Sequence, residues 1–321
     1  MSSKDQMFAK VILASKPTNG APPIITIHAR YPRFIHAEVM THRVFSRNAR
    51  SSRAVPVAKM LEEIRTSPVV PWHWGANQKG MQAGEPLPEE LEYILDGNVI
   101  CKEPREAWWL RARNDAMAYA ERYMRAGAHK QIANRLLEPF MWIDTLITST
   151  SWANFLHLRD HDDAEPHFHD LAAMFREAIS GAGYQTLEPG QWHLPYVDRE
   201  TWDQLEAYRL GAAHLERKWI NKKGSSLKAA LALEVSTARC ARISYSPFDG
   251  DSSIEKELIR HDLLVRSSPL HASPAEHQAT PDQRFVNAEG YATTGLAGNL
   301  GPGWIQYRKT LPGECIKDSA A

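Results

Sequence analysis

Three cysteines, Cys101, Cys240 and Cys315, are all that 321 residues contain. They are too few and too scattered for a disulfide framework, and no C-x-x-C pair offers a zinc site. Net charge is missing too, since 38 Lys and Arg balance 38 Asp and Glu. Without a global basic field, any contact with a polyanion has to be local. No run of about 18 apolar residues occurs, which speaks against a membrane span. The first residues lack the apolar core of a signal peptide. These absences predict a cytoplasmic protein (host cytoplasm for a viral chain), with neither membrane nor nucleic acid as partner.

Several catalytic signatures are absent as well. "GLAGNLGPG", Gly295 to Gly303, is not a G-x-G-x-x-G turn after a strand, and no G-K-[S/T] follows it. A dinucleotide would therefore not be held in Rossmann fashion. No H-E-x-x-H occurs. His157, His161, His167 and His169 stand among acids, but Pro166 interrupts the run between the first two and the last two, so no metal site is predicted.

What is present is a 43% hydrophobic chain, enough for one large domain or two small ones, with ten tryptophans and twenty prolines that suggest an ordered, loop-rich chain. Residues 1–24 read as peripheral. "IITIH" predicts a strand near Ile24–His28, followed by a helix that runs into a loop. The Pro- and Gly-dense stretch from Ser67 to Glu90 predicts a long ordered excursion, and 67–105 an insertion. An amphipathic helix follows, with Trp108, Ala112, Met117, Ala120 and Met124 near one face and Gly127 as its stop. A shorter helix should end around Pro139. "SWANFLHLR" reads as helical. So does "AEPHFHDLAAMFREAI", with Phe168, Leu171, Ala172, Phe175 and Ile179 as its buried stripe. Residues 181–227 read as turns and a polar link. Helices are predicted from Leu227 towards "ARISY" and over "SIEKELIRHDLLV". The fold class is α+β, a helix-rich domain around a small mixed or antiparallel sheet.

One stretch stands out. "THRVFSRNARSSRAVP", Thr41 to Pro56, holds Arg43, Arg47, Arg50 and Arg53 with Ser46, Ser51, Ser52 and Asn48, and no acid. Guanidinium forks make bidentate, charge-assisted bonds to phosphate, and small hydroxyls let the backbone approach closely. A solvated basic loop would have the same composition. Further along, Arg135 lies one helical turn after Gln131. Arg159 follows Phe155, Leu156 and Leu158, an apolar setting in which an arginine either points into a site or snorkels. "HASPAEH", His271 to His277, reads equally well as a capping box in which Ser273 caps a turn with Pro274 at its first position and Glu276 closing it.

Jointly these pieces resemble the flavin-dependent thymidylate synthases. The family signature is R-H-R, seven residues, then Ser. Here Thr41-His42-Arg43 is followed by Val44 to Arg50 and then Ser51, with Arg53 two further on. "NRLLEP" and "NFLHLR", the latter running on to Ala164-Glu165, are similar to the family's arginine-bearing helices. Ala241-Arg242-Ile243-Ser244-Tyr245 and "HASPAEH" are similar to motifs that elsewhere precede R-H-R. Here they follow it, so the resemblance implies a circular permutation, as in phage-type relatives. On this reading one domain spans 1–321. Residues 24–180 carry the R-H-R and arginine-helix part, and 228–321 resemble the family's beginning. A polar bridge around Asn221–Ser226 joins what are elsewhere the two ends.

The resemblance implies FAD- and folate-dependent methylation of dUMP to dTMP, with methylenetetrahydrofolate and NADPH as co-substrates and a homotetrameric assembly. It implies that Thr41, His42, Arg43, Thr148, Asn154, Ser244, Ser273 and Glu276 contact FAD. Glu38, Ser51, Ser52, Arg53 and Arg135 would hold the nucleotide. Arg159 would lie against the uracil edge, with Arg159 and Ser51 as the catalytic pair. No cysteine nucleophile is implied. The chain departs from the family at Thr41, which replaces an arginine, at Ala49, which replaces a glutamate, and at Glu38, which replaces a glutamine. These changes leave open a same-fold methyl- or hydroxymethyltransferase acting on another pyrimidine nucleotide. A nucleic-acid-binding accessory using the basic loop is the remaining alternative.

Overall fold

The computed structural model describes residues 3–211, 227–243, 251–285 and 293–315. Ser244, Tyr245, the Asn221–Ser226 bridge and both chain ends lie outside the described residues. In chain order the elements are β1 (Phe8–Pro17), β2 (Ile24–Pro32), α1 (His36–Val39), β3 (Ser46–Ala49), α2 (Val57–Thr66), β4 (Glu90–Leu95) and β5 (Asn98–Pro104). Next come α3 (Arg105–Arg125), α4 (Lys130–Ala133), β6 (Trp142–Ser149), α5 (Ala153–Arg159), α6 (Pro166–Ser180) and β7 (Gln185–Leu187). The order closes with α7 (Arg199–Gly211), α8 (Leu227–Ala241), α9 (Ile254–Val265), β8 (Ala279–Pro281) and β9 (Trp304–Gln306). The architecture is mixed α+β. Among the described residues no helix is long and apolar enough to cross a membrane.

A five-stranded sheet in the order β3-β6-β2-β1-β7 organises the molecule. Its pairs are antiparallel except β1 with β7. β2 and β6 lie centrally and are buried along nearly their whole lengths, as their β-branched and aromatic residues favour. β1 corrects the expectation of a peripheral N-terminus. Its strand character is hidden because its outer residues are half-exposed and a register shift between Val11 and Leu13 breaks the alternation.

α6 covers the sheet with Phe168, Leu171, Ala172 and Phe175, all fully buried. Their i, i+3, i+4, i+7 spacing makes one apolar stripe. Glu165 caps this helix by accepting from the Phe168 N–H at 2.8 Å, and Pro166 sits at its first position. α3 packs Trp109, Ala116, Met117, Ala120 and Met124 onto Val57, Met60, Leu61 and Ile64 of α2. Met117, Ala120 and Met124 keep the predicted face, whereas Trp109 and Ala116 take the places expected of Trp108 and Ala112, and Ala112 is exposed. Gly127 takes the left-handed φ of +81° that ends the helix.

The 67–105 excursion ends in a β4–β5 hairpin turned by Asp96 and Gly97, both at positive φ. The polar link expected over 181–227 contains the helix α7. α8 is buried on all sides from Leu231 to Ala238, and it packs against α7 and α9. The helix expected to stop at Pro139 is one α-turn, α4, continued as a 3-10 helix over Asn134–Phe140.

Candidate functional site

β3 is the axis of the site, and the Arg-rich stretch is divided around it. Arg47 is half-buried and donates to the carbonyls of Val39, at 3.1 Å, and His42, at 3.0 Å. It closes the turn that presents Thr41 and His42. Arg50 forms a two-pronged pair with Glu63 of α2, at 2.7 and 2.9 Å. These two arginines build the protein. Arg43 and Arg53 are exposed, and neither has a carboxylate within 4 Å among the described residues.

At one end of β3, Arg159 of α5 donates from Nε to His42 Nε2 at 3.1 Å and from Nη2 to Thr41 Oγ1 at 3.3 Å. An arginine Nε–H can only donate, so His42 Nε2 accepts and the ring is neutral with its proton on Nδ1. Burial, then the charges of Arg159 and Arg47, lower the His42 pKa to about 4, in keeping with that form. The ring lies among Phe155, Phe45 and Phe168, with centroids 4.9, 5.5 and 6.1 Å away. The Arg159 guanidinium lies 5.1 Å over Phe168. It forms no ion pair among the described residues. Burial, then the charge of Glu165, raise the carboxyl of Glu38, on α1, above the ordinary range against the opposing charge of Arg159.

At the other end, about 10 Å away by strand rise, the loop after β3 is pinned from beneath. Asn134 Nδ2 donates to the carbonyls of Ser52 at 2.8 Å and Val55 at 2.9 Å. Lys130 Nζ donates to Ala54 O at 3.1 Å, and Ser52 Oγ to Glu138 at 3.3 Å. Ser51, Ser52 and Arg53 are thereby held over the 3-10 helix that also carries exposed Arg135, which lacks an acidic partner among the described residues. Two guanidinium groups, an ammonium and two hydroxyls on one short loop and the helix under it suit a phosphate.

The C-terminal motif reaches β3 as well. Ser273–Glu276 is a 3-10 turn packed on that strand. It is not a capping box: Ala272 precedes the turn and no side chain caps it. Glu276 is held by Arg308 and by Asn299 Nδ2 at 3.1 Å. Asn299 in turn accepts from Ser46 Oγ at 2.6 Å, and Gln306 donates to Ser46 at 3.0 Å. Asn48 Nδ2 donates to Cys240 O at 3.2 Å. Segments about 230 residues apart are thus stitched to one strand.

Two residues expected at a cofactor are committed internally. Thr148 is fully buried, its hydroxyl bound to Thr26 at 2.6 Å and to His277 Nδ1 at 2.8 Å. Glu276 is engaged as described above. Asn154 and Ser273 are exposed, and Ser244 lies outside the described residues. Asn299, Gln306, Arg308, His193 and Thr26 carried no sequence signal, because each acts through partners more than a hundred residues distant or through the uncovered last forty residues.

No protein-family model matches the chain, and no curated protein shows significant similarity to it.

Proposed function

We propose that the chain is a flavin- and folate-dependent enzyme that methylates C5 of dUMP to give dTMP, with methylenetetrahydrofolate as one-carbon donor and NADPH as reductant. The observation that carries this reading is Arg159: a guanidinium seated on a phenyl ring and a neutral histidine, with no carboxylate partner among the described residues. Such a cation is kept for an anion. Against a uracil edge it favours the N3-deprotonated form and stabilises charge that develops on the ring. Arg53 and Arg135, with Ser51 and Ser52, hold the nucleotide phosphate. Glu38 reads the base.

The donor set fits a flavin in part. Arg43, Asn154 and Ser273 are exposed and suit its pyrophosphate and ribose, with Thr41 and His42 beside them, whereas Thr148 and Glu276 are closed off. When bound, the flavin supplies the hydride. Arg159 and the Arg53–Arg135 loop lie at opposite ends of β3, an arrangement that supports a homotetramer in which one subunit's Arg159 faces the nucleotide whose phosphate is held by another subunit's Arg53 and Arg135. The packing of Ser273–Glu276 on β3 supports the permuted order of motifs.

Glu38 favours a second reading. Where the resemblance expects a glutamine amide, which donates and accepts, a carboxylate at this position only accepts. That suits another pyrimidine nucleotide, or a hydroxymethyl product, on the same fold. The test is anaerobic turnover of dUMP, dCMP and UMP with methylenetetrahydrofolate and NADPH, products read by mass, together with the visible spectrum of the protein and of its heat-released supernatant. Bound flavin and a 14-Da gain on dUMP are expected from a methyl transfer. No flavin uptake on titration and no product from any nucleotide would overturn the reading.

A further inference from the structure

The excursion after Ser67 carries none of the motifs that suggested the function, yet it reaches the site. The backbone N–H groups of Trp72 and His73 point at His167 Nε2, at 3.3 and 3.5 Å. Backbone amides only donate, so Nε2 accepts and the ring proton sits on Nδ1. That proton goes to Glu165 Oε1 at 2.6 Å. The other Glu165 oxygen caps α6. Both carboxylate oxygens are therefore oriented.

The strap itself is fastened. Trp72 Nε1 and His73 Nε2 each lie 2.7 Å from Asp170 Oδ2, Lys4 Nζ lies 2.8 Å from Oδ1, and Trp109 Nε1 donates to Val69 O at 2.8 Å. Around the His167 ring, 5% exposed, stand Trp72 at 4.5 Å and Phe34 and His73 at 5.1 Å. The next residue on α6 is Phe168, the ring under Arg159. Glu165 also acts on Glu38.

We propose that His167 is a positioning residue for Arg159: its Nδ1 proton fixes Glu165 and the first turn of α6, and so sets the seat of the guanidinium, while its Nε2 anchors the Trp72–His73 strap. The inference rests on the proposed function only in taking Arg159 as the group that meets the ligand.

The two bonds of His167 can be separated. In His167→Asn the side-chain N–H stands near the Nδ1 position and still donates to Glu165, but nothing accepts from the strap. In His167→Gln the carbonyl oxygen reaches the Nε2 position and accepts from the strap, but nothing donates to Glu165. The first readout is the Arg159 Nε–H resonance of the ligand-free full chain, assigned by its loss in Arg159→Lys. It is expected to stay in place in His167→Asn and to move towards the solvent-exposed arginine position in His167→Gln. The second is calorimetric affinity for dUMP, weakened on the order of 10- to 100-fold in His167→Gln and little changed in His167→Asn. Thermal melting of both variants gives the purely structural cost. A resonance unmoved in both variants, or displaced in both in proportion to lost melting temperature, overturns the proposal. If the wild-type chain bound no dUMP, the proposed function would fail while the resonance still decided the role of His167.

Discussion

Two polar clusters flank β6, and they are built from the same kinds of residue to opposite ends. On one side, Gln185 Nε2 donates to Ser15 Oγ at 3.0 Å, Ser15 meets His193 Nδ1 at 2.7 Å, and His193 Nε2 meets Thr26 at 2.9 Å. Thr26 and Thr148 then lead to His277 Nδ1. One polarity gives every hydroxyl proton an acceptor: Ser15 to His193, His193 to Thr26, Thr26 to Thr148, Thr148 to His277. Ser15, Thr26, Thr148, His193 and His277 are all fully buried. On the other side, Arg159, His42, Thr41 and Glu38 are also mutually bonded or charged against one another, but the cluster opens to solvent and carries a cation without an ion pair among the described residues. The buried chain has spent its hydroxyl bonds on the fold and ends at His277 Nε2, which is buried without a hydrogen-bond partner among the described residues. An open one has capacity left for a ligand.

Removing the cation should give the largest effect. Arg159→Ala is expected to retain its fold and flavin and to lose on the order of 10²- to 10³-fold in turnover, the usual cost of one preorganised charge facing a developing anion. Turnover and circular dichroism of the purified variant check it. Near-wild-type turnover would move the base away from α5.

The open cluster was the more legible of the two in the amino-acid sequence, for a physical reason. Its residues sit on short contiguous pieces, Thr41–Arg53 and Asn154–Arg159, whose odd composition survives in one dimension. α5, α6 and α9 were equally legible, because their apolar stripes are local. The closed chain draws one residue from each of several elements, and nothing marks a serine in β1 as the partner of a histidine after β7. β1 and α7 were missed through weak periodicity. The Asp96–Gly97 turn was a plain hairpin signal inside a stretch dismissed as an insertion. The His167 clamp could not be inferred at all, since backbone amides of the strap form half of it.

Acid should break the closed cluster. Burial holds His193 and His277 neutral and lowers both pKa values from 6.5 to about 3, with the charge of His277 adding to the shift of His193. Below 6.5 the unfolded chain takes up these protons and the folded chain does not. The stabilisation is therefore complete above pH 6.5 and is lost progressively as pH falls towards 3. His42, at about 4, acts in the same direction. Urea midpoints measured from pH 7 to pH 4 should fall steadily. In Thr148→Val, which strips a hydroxyl from the chain and leaves Thr26 and His277 short of a partner, the neutral-pH stability should drop by about 1–3 kcal/mol, with nucleotide affinity unchanged. A variant that kept its stability but lost nucleotide binding would show that the chain serves the ligand after all.

The smallest contrast is also the most local. Arg50 and Arg53 lie three residues apart in the same basic stretch, and composition cannot tell them apart. Arg50 is forked onto Glu63 and carries an ordinary part-buried ion pair. Arg53 is exposed on a loop held by Asn134 and Lys130 through backbone carbonyls and by the Ser52 hydroxyl on Glu138, so its own side chain takes no part in holding that loop. Arg50→Ala should therefore cost about 1 kcal/mol of stability and leave dUMP affinity close to wild type. Arg53→Ala should leave the melting temperature almost unchanged, as exposed substitutions away from packing contacts do. It should weaken dUMP by roughly tenfold, the scale of one charge-assisted bond to phosphate. Calorimetric titration with dUMP and with deoxyuridine separates the phosphate from the base: the Arg53 penalty should vanish with the nucleoside. Equal losses for both ligands would place Arg53 at the base and leave Arg135 as the phosphate's arginine on that loop.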